Sequence, residues 1–156
     1  MNVKTGASYI RIQPELTVPI NLAWAFLTEQ HHINGWWGDY VELEVGLGGR
    51  FRETWFDGIR EVITSGEVVH YDPPKMLELI WADNNWSDTT VVTFRLSENG
   101  ETTQLVMTHS GWEKLADERS RLIKEHAEGW AKNLTCLADY AKNRQRVRTH
   151  PARNLE

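Results

Sequence analysis

From a start between Glu113 and Glu118 to about Arg144, apolar residues recur every three or four positions, and no proline interrupts them. Leu122, His126, Trp130, Leu134, Leu137 and Ala141 make one stripe, the spacing of a helix that buries a single face. About thirty residues at 1.5 Å rise would span about 45 Å, longer than most globular helices. Such a helix draws its stability from packing, so it needs a broad apolar partner elsewhere in the chain. Gly129 sits beside the stripe, at a cost of about 1 kcal/mol relative to alanine. Its presence implies either close approach by another element or room left open.

The partner lies upstream. Alternating stretches run Tyr9 to Leu16, Val41 to Val45, Arg50 to Phe56, Ile59 to Tyr71, Lys75 to Ala82, Thr89 to Leu96 and Thr102 to His109. Turn residues separate them: Gly46-Leu47-Gly48-Gly49, Asp57-Gly58, Asp72-Pro73-Pro74, the loop-like Asp83-Asn84-Asn85 and Glu98-Asn99-Gly100. Short strands at this spacing form an antiparallel meander. Between the first two, Val18-Pro19 opens a short helix with Ile20, Trp24 and Leu27 inward, and a second runs from about Glu29 to Trp36. The expected class is therefore α+β: one sheet, two short helices and a long carboxy-terminal helix.

Alternation assigns faces. Phe51, Glu53 and Trp55 share one side with Leu77, Leu79 and Trp81, with Val92, Phe94 and Leu96, and with Leu105, Met107 and His109. Glu78, Arg95 and Thr108 fall on the wetter side. Eight tryptophans are the unusual feature of the composition. They supply either a filled core or the aromatic walls of an apolar binding site.

These pieces, in this order, resemble the START-like (SRPBCC) superfamily with its helix-grip fold. They are most similar to the family of the activator of heat-shock protein 90 ATPase carboxy-terminal domain. The carrying residues are Val18-Pro19, Trp36-Trp37, Gly46-Leu47-Gly48-Gly49-Arg50-Phe51, Gly66-Glu67-Val68 and Pro73-Pro74-Lys75-Met76-Leu77 with Trp81. Thr108-His109-Ser110-Gly111-Trp112, then Gly129-Trp130 with Asn133-Leu134 and Leu137, complete the set. The resemblance implies one curved sheet of six or seven strands gripping the long helix, a single domain over residues 8–144, and a basic tail over 145–156. Leu155-Glu156 has the form of a vector-derived end. The resemblance also implies a central cavity. Families of this kind include lipid carriers and aromatic cyclases, so fold membership leaves function open.

The totals narrow the classes. Net charge is −5, yet from Lys142 to Glu156 five bases face one acid, which leaves −9 on the rest. An acidic body argues against nucleic acid as the partner. No stretch is apolar enough for stable membrane insertion. A lone cysteine, Cys136, fits a reducing, cytoplasmic setting, and its place beside the apolar stripe reads as a small buried hydrophobe.

No metal site is expected, because His31 and His32 are helix neighbours whose side chains should diverge and no chelating motif is present. No cofactor and no catalytic residue are assigned. The expected ligand is a hydrophobic or aromatic small molecule, with a monomer or homodimer holding it. Its site would comprise Glu53, Trp55, Leu79, Trp81, Met107, His109, His126 and Trp130, under a lid of Trp36, Trp37 and Trp86. Glu53, His109 and His126 stand out as polar groups on apolar faces. Glu53 could meet a histidine across the cavity, and such a pair orients a ligand or exchanges protons with it. The plainer alternative is two structural histidines, with Glu53 at the rim. A cyclase- or isomerase-like enzyme and a chaperone-partner module are the rival functions.

Overall fold

The computed structural model describes residues 1–149. Among these residues, nine strands form one antiparallel sheet: β1 (Asn2–Thr5), β2 (Tyr9–Gln13), β3 (Glu15–Leu16), β4 (Val41–Leu43), β5 (Arg50–Phe56), β6 (Glu61–Asp72), β7 (Met76–Asp83), β8 (Thr90–Asn99) and β9 (Thr102–Ser110). The order is β1-β2-β9-β8-β7-β6-β5-β4, with β3 pairing β9. The count exceeds the expected six or seven for two reasons. Pro14 has no N–H to give the ladder, so the predicted first strand divides into β2 and β3 there, while the Pro14 carbonyl still accepts from Leu105 at 3.1 Å. β1 is wholly exposed and shows no apolar alternation; pairing along β2 alone makes it a strand.

Helices α1 (Ile20–Thr28) and α2 (Gln30–Trp36) follow β3 with only Glu29 between them. α1 buries Ile20, Ala23, Trp24, Phe26 and Leu27. A 3₁₀ segment, Trp112–Glu118, kinked within at Ala116 (φ 31°), leads directly into α3 (Arg119–Thr149). The predicted helix start therefore falls in the 3₁₀ segment. The predicted tail over 145–156 is helical as far as Thr149, and its remainder, Leu155-Glu156 included, lies outside the described residues. No helix among the described residues is long and apolar enough to cross a membrane.

The stripe on α3 packs as its spacing requires: Leu122, Trp130, Leu134, Leu137 and Ala141 are buried with the inner face of the sheet in one core. Aromatic rings make its centre. Trp37 stacks on Trp36 at 5.1 Å, and Trp81 lies 5.0 Å from Phe51 and 5.3 Å from Trp130. Cys136 is exposed rather than buried. It lies on the outward side of α3, since one step from Leu137 on a helix is a turn of about 100°.

Candidate functional site

Beside that core, the sheet and α3 part. A cavity of about 920 Å³ opens between the β5–β6 hairpin, the end of β7 and the first half of α3. Its aromatic walls are Trp55, Trp81, Trp86 and Trp130. Gly129 lines it from the helix, and a Cβ built there would meet nothing within 4 Å. Of the two explanations for that glycine, the structure shows open room.

Strand register builds the polar wall. Glu53 of β5 pairs with Thr64 of β6, and Thr64 pairs with Asp83 of β7. Residues directly opposite across strands project from the same face, so the three stand abreast. The Trp55 indole N–H donates to Thr64 Oγ1 at 3.0 Å, and the Thr64 hydroxyl donates to Asp83 Oδ1. This chain of bonds fixes the indole as a wall and uses up both donors. On the helix, His126 Nδ1 lies 2.9 Å from the Leu122 carbonyl. A carbonyl only accepts, so Nδ1 carries the proton and Nε2 keeps a lone pair while the ring is neutral.

Burial dominates the electrostatics here. It pushes Glu53 up to about 7, and the nearby Asp83 adds to the shift. Burial also raises Asp83, against the opposing pull of the Thr64 hydroxyl and of His126. His126 is lowered by burial, against the attraction of Asp83. The carboxylate facing Glu53 is thus Asp83, while the histidine of the site answers to Asp83.

The Glu53 shift has a measurable sign. The folded chain binds more protons than the unfolded one between about 4.5 and 7, so this group contributes less stability as pH rises through that window. Glutamine cannot ionise. Glu53→Gln is expected to be more stable than the parent at about pH 8, by about 2 kcal/mol, with the gap closing toward about pH 5. Urea denaturation at the two pH values checks this, and a gap independent of pH would contradict it.

His109 has a different role from His126. It is fully buried and makes two ring bonds, accepting from the Trp130 indole at Nδ1 (3.0 Å) and meeting Thr90 Oγ1 at Nε2 (2.7 Å). An indole N–H only donates, so Nδ1 must be the acceptor and Nε2 carries the hydrogen. Thr90 passes its own hydrogen to the Trp81 carbonyl at 3.1 Å. Burial, then His126, lowers the His109 pKa well below the ordinary value, in keeping with this neutral ring. The bonds form a lock between α3 and the sheet.

The structure brings Glu53, Trp55, Trp81, His126 and Trp130 together at the cavity, with Trp86 at its edge. Leu79, Met107 and His109 are not among the lining residues; they pack in the core behind. Trp36 and Trp37 do not form a lid. Trp36, the last residue of α2, and Trp37 just after it both turn inward, where Trp36 donates to the Phe26 carbonyl at 2.8 Å and Trp37 packs 5.2 Å from Phe51. Asp83 and Thr64 are the site residues that the sequence reading passed over. Carrying the alternation Leu77, Leu79, Trp81 one step further reaches Asp83, which is 8% exposed.

The His31 and His32 rings do not diverge. Their centroids lie 4.0 Å apart, because Tyr140 hydroxyl holds His32 Nδ1 at 2.7 Å. With Glu29 they present potential ligand atoms within 4.8 Å of one another on the surface, away from the cavity.

The sequence model of the family described as "Activator of Hsp90 ATPase homolog 1-like protein" matches residues 17–142. The chain belongs to this family. Comparison with curated proteins yields no match. Among solved structures, CalU16 from Micromonospora echinospora is 24% identical with a TM-score of 0.67, over 85% of this chain and 75% of that one. MLL2253 from Mesorhizobium loti is 23% identical with a TM-score of 0.71, over 86% and 97%. DynU16, a protein of the dynemicin biosynthetic locus, is 20% identical with a TM-score of 0.70; 86% of this chain spans 47% of that one. At these identities the likeness shows the helix-grip fold, and the nine-stranded sheet closed on α3 is this family member's version of it.

Proposed function

We propose that this chain binds a hydrophobic or aromatic small molecule in the cavity between β5–β7 and α3. The cavity itself carries this reading: four indoles line it, and α3 presents only the exposed Gly129 toward it at one point, which leaves that side open to entry. Its volume of 920 Å³ lies within the range of about 300–1,000 Å³ usual for small-molecule sites. Indole walls and a few convergent polar groups suit a largely apolar guest. A relative from a biosynthetic locus, DynU16, is in keeping with a small-molecule setting.

Gly129→Leu tests the reading. Leucine favours the helix by about 0.8 kcal/mol and places its side chain in the open room. The parent is expected to bind a flat apolar dye such as Nile red saturably. The variant should fold at least as stably and lose that binding. Equal binding by both proteins would place the dye elsewhere and count against the cavity. Native mass spectrometry of freshly purified protein would show any co-purifying molecule directly.

A second reading is favoured by one specific pairing. Glu53, held near 7, is partly protonated at neutral pH, and His126 offers a free Nε2 lone pair in the same cavity. An acid and a base so placed suit proton transfer on a bound carbonyl or enol, the chemistry of a cyclase or isomerase. Turnover that disappears in Glu53→Gln would favour it. The family description also raises a chaperone partner. Capture of heat-shock protein 90, by a variant whose cavity is filled as well as by the parent, would favour that role.

A further inference from the structure

Asp83, Glu53 and His126 supply the acceptors of the cavity's polar wall, while the Trp81 indole N–H, also of the lining, is a buried donor with no partner among the described residues. Trp55 N–H and Thr64 O–H are spent on Thr64 and Asp83. Asp83 is 8% exposed and lines the cavity, and among the described residues its Oδ2 receives no hydrogen bond. Among the described residues, Glu53 likewise receives none at either oxygen. His126 has given its only ring hydrogen to Leu122, so Nε2 faces its surroundings as a lone pair. With Glu53 ionised, all three groups accept and none donates.

Of the lining's cations, Arg60 and Arg121 are engaged with acids at the rim, and Lys132 is exposed on α3. Arg121 bonds Glu118 and, at 3.1 Å, Glu125. Arg60 lies 3.9 Å from Asp57. Among the described residues, neither Glu53 nor Asp83 forms an ion pair with a lysine or arginine. Buried carboxylates are costly unless a donor or a positive charge answers them. The trio is also too widely spaced to share one metal ion: among the described residues, only Glu29, His31 and His32 gather ligand atoms within 4.8 Å. The fitting positive charge is one that spreads its donors over several ångströms and carries a body for Trp55, Trp86 and Trp130. Indole faces attract such a cation as well.

We propose that the guest of this cavity is an organic cation: a flat apolar body bearing a protonated amine or amidine, whose N–H groups meet Glu53, Asp83 and His126 Nε2. This inference rests on the reading of the cavity as a ligand site and adds the charge and polarity of the ligand. It excludes fatty acids and other anionic lipids as preferred guests, because Glu53 and Asp83 repel them.

The test is a matched series of probes on one ring system: 2-naphthylmethylammonium, neutral 2-naphthylmethanol and anionic 2-naphthylacetate, titrated by calorimetry at about pH 7.5. The ammonium is expected to bind at least about tenfold more tightly than the alcohol, and the carboxylate more weakly than either. Glu53→Gln, whose side chain makes no hydrogen bond among the described residues, should erase most of the ammonium's advantage over the alcohol. Asp83→Asn should do the same where it folds.

A proton readout separates binding at this wall from binding elsewhere. Glu53 is pushed up to about 7, and a cation beside it favours the ionised form. Binding at about pH 7 should therefore release about half a proton, seen as a dependence of the heat on the buffer's ionisation enthalpy. The charged groups sharing the cavity with Glu53 are Asp83 on β7, Glu118 at the end of the 3₁₀ segment, Arg121, Glu125, His126 and Lys132 on α3, and Asp57 and Arg60 in the β5–β6 turn. Proton release lost in Glu53→Gln assigns it to Glu53 rather than to these. If the alcohol or carboxylate binds as well as the ammonium, the cation inference falls and the ligand-site reading stands. If none of the three binds up to about 1 mM, both fall.

Discussion

Gly66→Ala is expected to destabilise the fold by about 3 kcal/mol or more, enough to leave much of the protein unfolded. Gly66 lies in the middle of β6, between Phe51 on β5 and Trp81 on β7. A methyl at this position would overlap the carbonyl oxygen of Ile80, which is backbone and cannot swing aside. The glycine also lets the Phe51 and Trp81 rings lie 5.0 Å apart across it, at 24° to each other. Yielding to the methyl would open the ladder between β6 and β7 and spread that ring pair. Urea denaturation of the variant measures the loss. Gly129→Ala is the matched control, because the same methyl meets open room there and should raise stability by about 1 kcal/mol. Equal effects at the two glycines would contradict the packing described.

Trp130→Ala is expected to cost about 4 kcal/mol, in the range of large-to-small changes in a core. The indole is 3% exposed and contacts Trp37, Trp81 and Phe94. It also donates the hydrogen that holds His109 Nδ1. Alanine therefore removes packing and leaves a buried acceptor without a donor, which alone costs about 1–3 kcal/mol. Trp130→Phe separates the contributions, since it keeps most of the apolar area and removes only the N–H. It should fall between the parent and alanine by thermal unfolding. A phenylalanine variant as stable as the parent would mean the lock to His109 contributes nothing net.

The long helix and most strands could be read from the chain because period and turn chemistry agree along its length. The stripe from Leu122 to Ala141 and the inward set Phe51, Leu77, Trp81 and Phe94 needed nothing beyond alternation and burial. The strand read over Tyr9 to Leu16 covers both β2 and β3, but the interruption at Pro14, across which pairing with β9 resumes, was not part of that reading. β1 could not be read at all, because an exposed strand held only by backbone bonds leaves no pattern in its side chains. The site was half legible. Glu53 and His126 stood out as polar residues at apolar positions, and the structure places both at the cavity. Asp83 was hidden by its neighbours: Asp-Asn-Asn reads as a turn, yet the strand runs on to include the aspartate. Trp36 and Trp37 show the opposite error. A tryptophan pair between glycines resembles a loop, but which way a short helix turns its last residues is decided by tertiary packing.

The tryptophan stack also makes the chain's light emission a collective property. Trp36, Trp37, Trp81 and Trp130 follow one another at centroid spacings of 5.1, 6.4 and 5.3 Å. At such spacings, excitation absorbed by one indole migrates to its neighbours before it is emitted. A guest touching Trp81 and Trp130 at the cavity would therefore dim rings buried well behind them. The near-ultraviolet circular dichroism should likewise carry an exciton couplet from the stacked pair. That signal would vanish when the helix leaves the sheet, even where the backbone signal persisted.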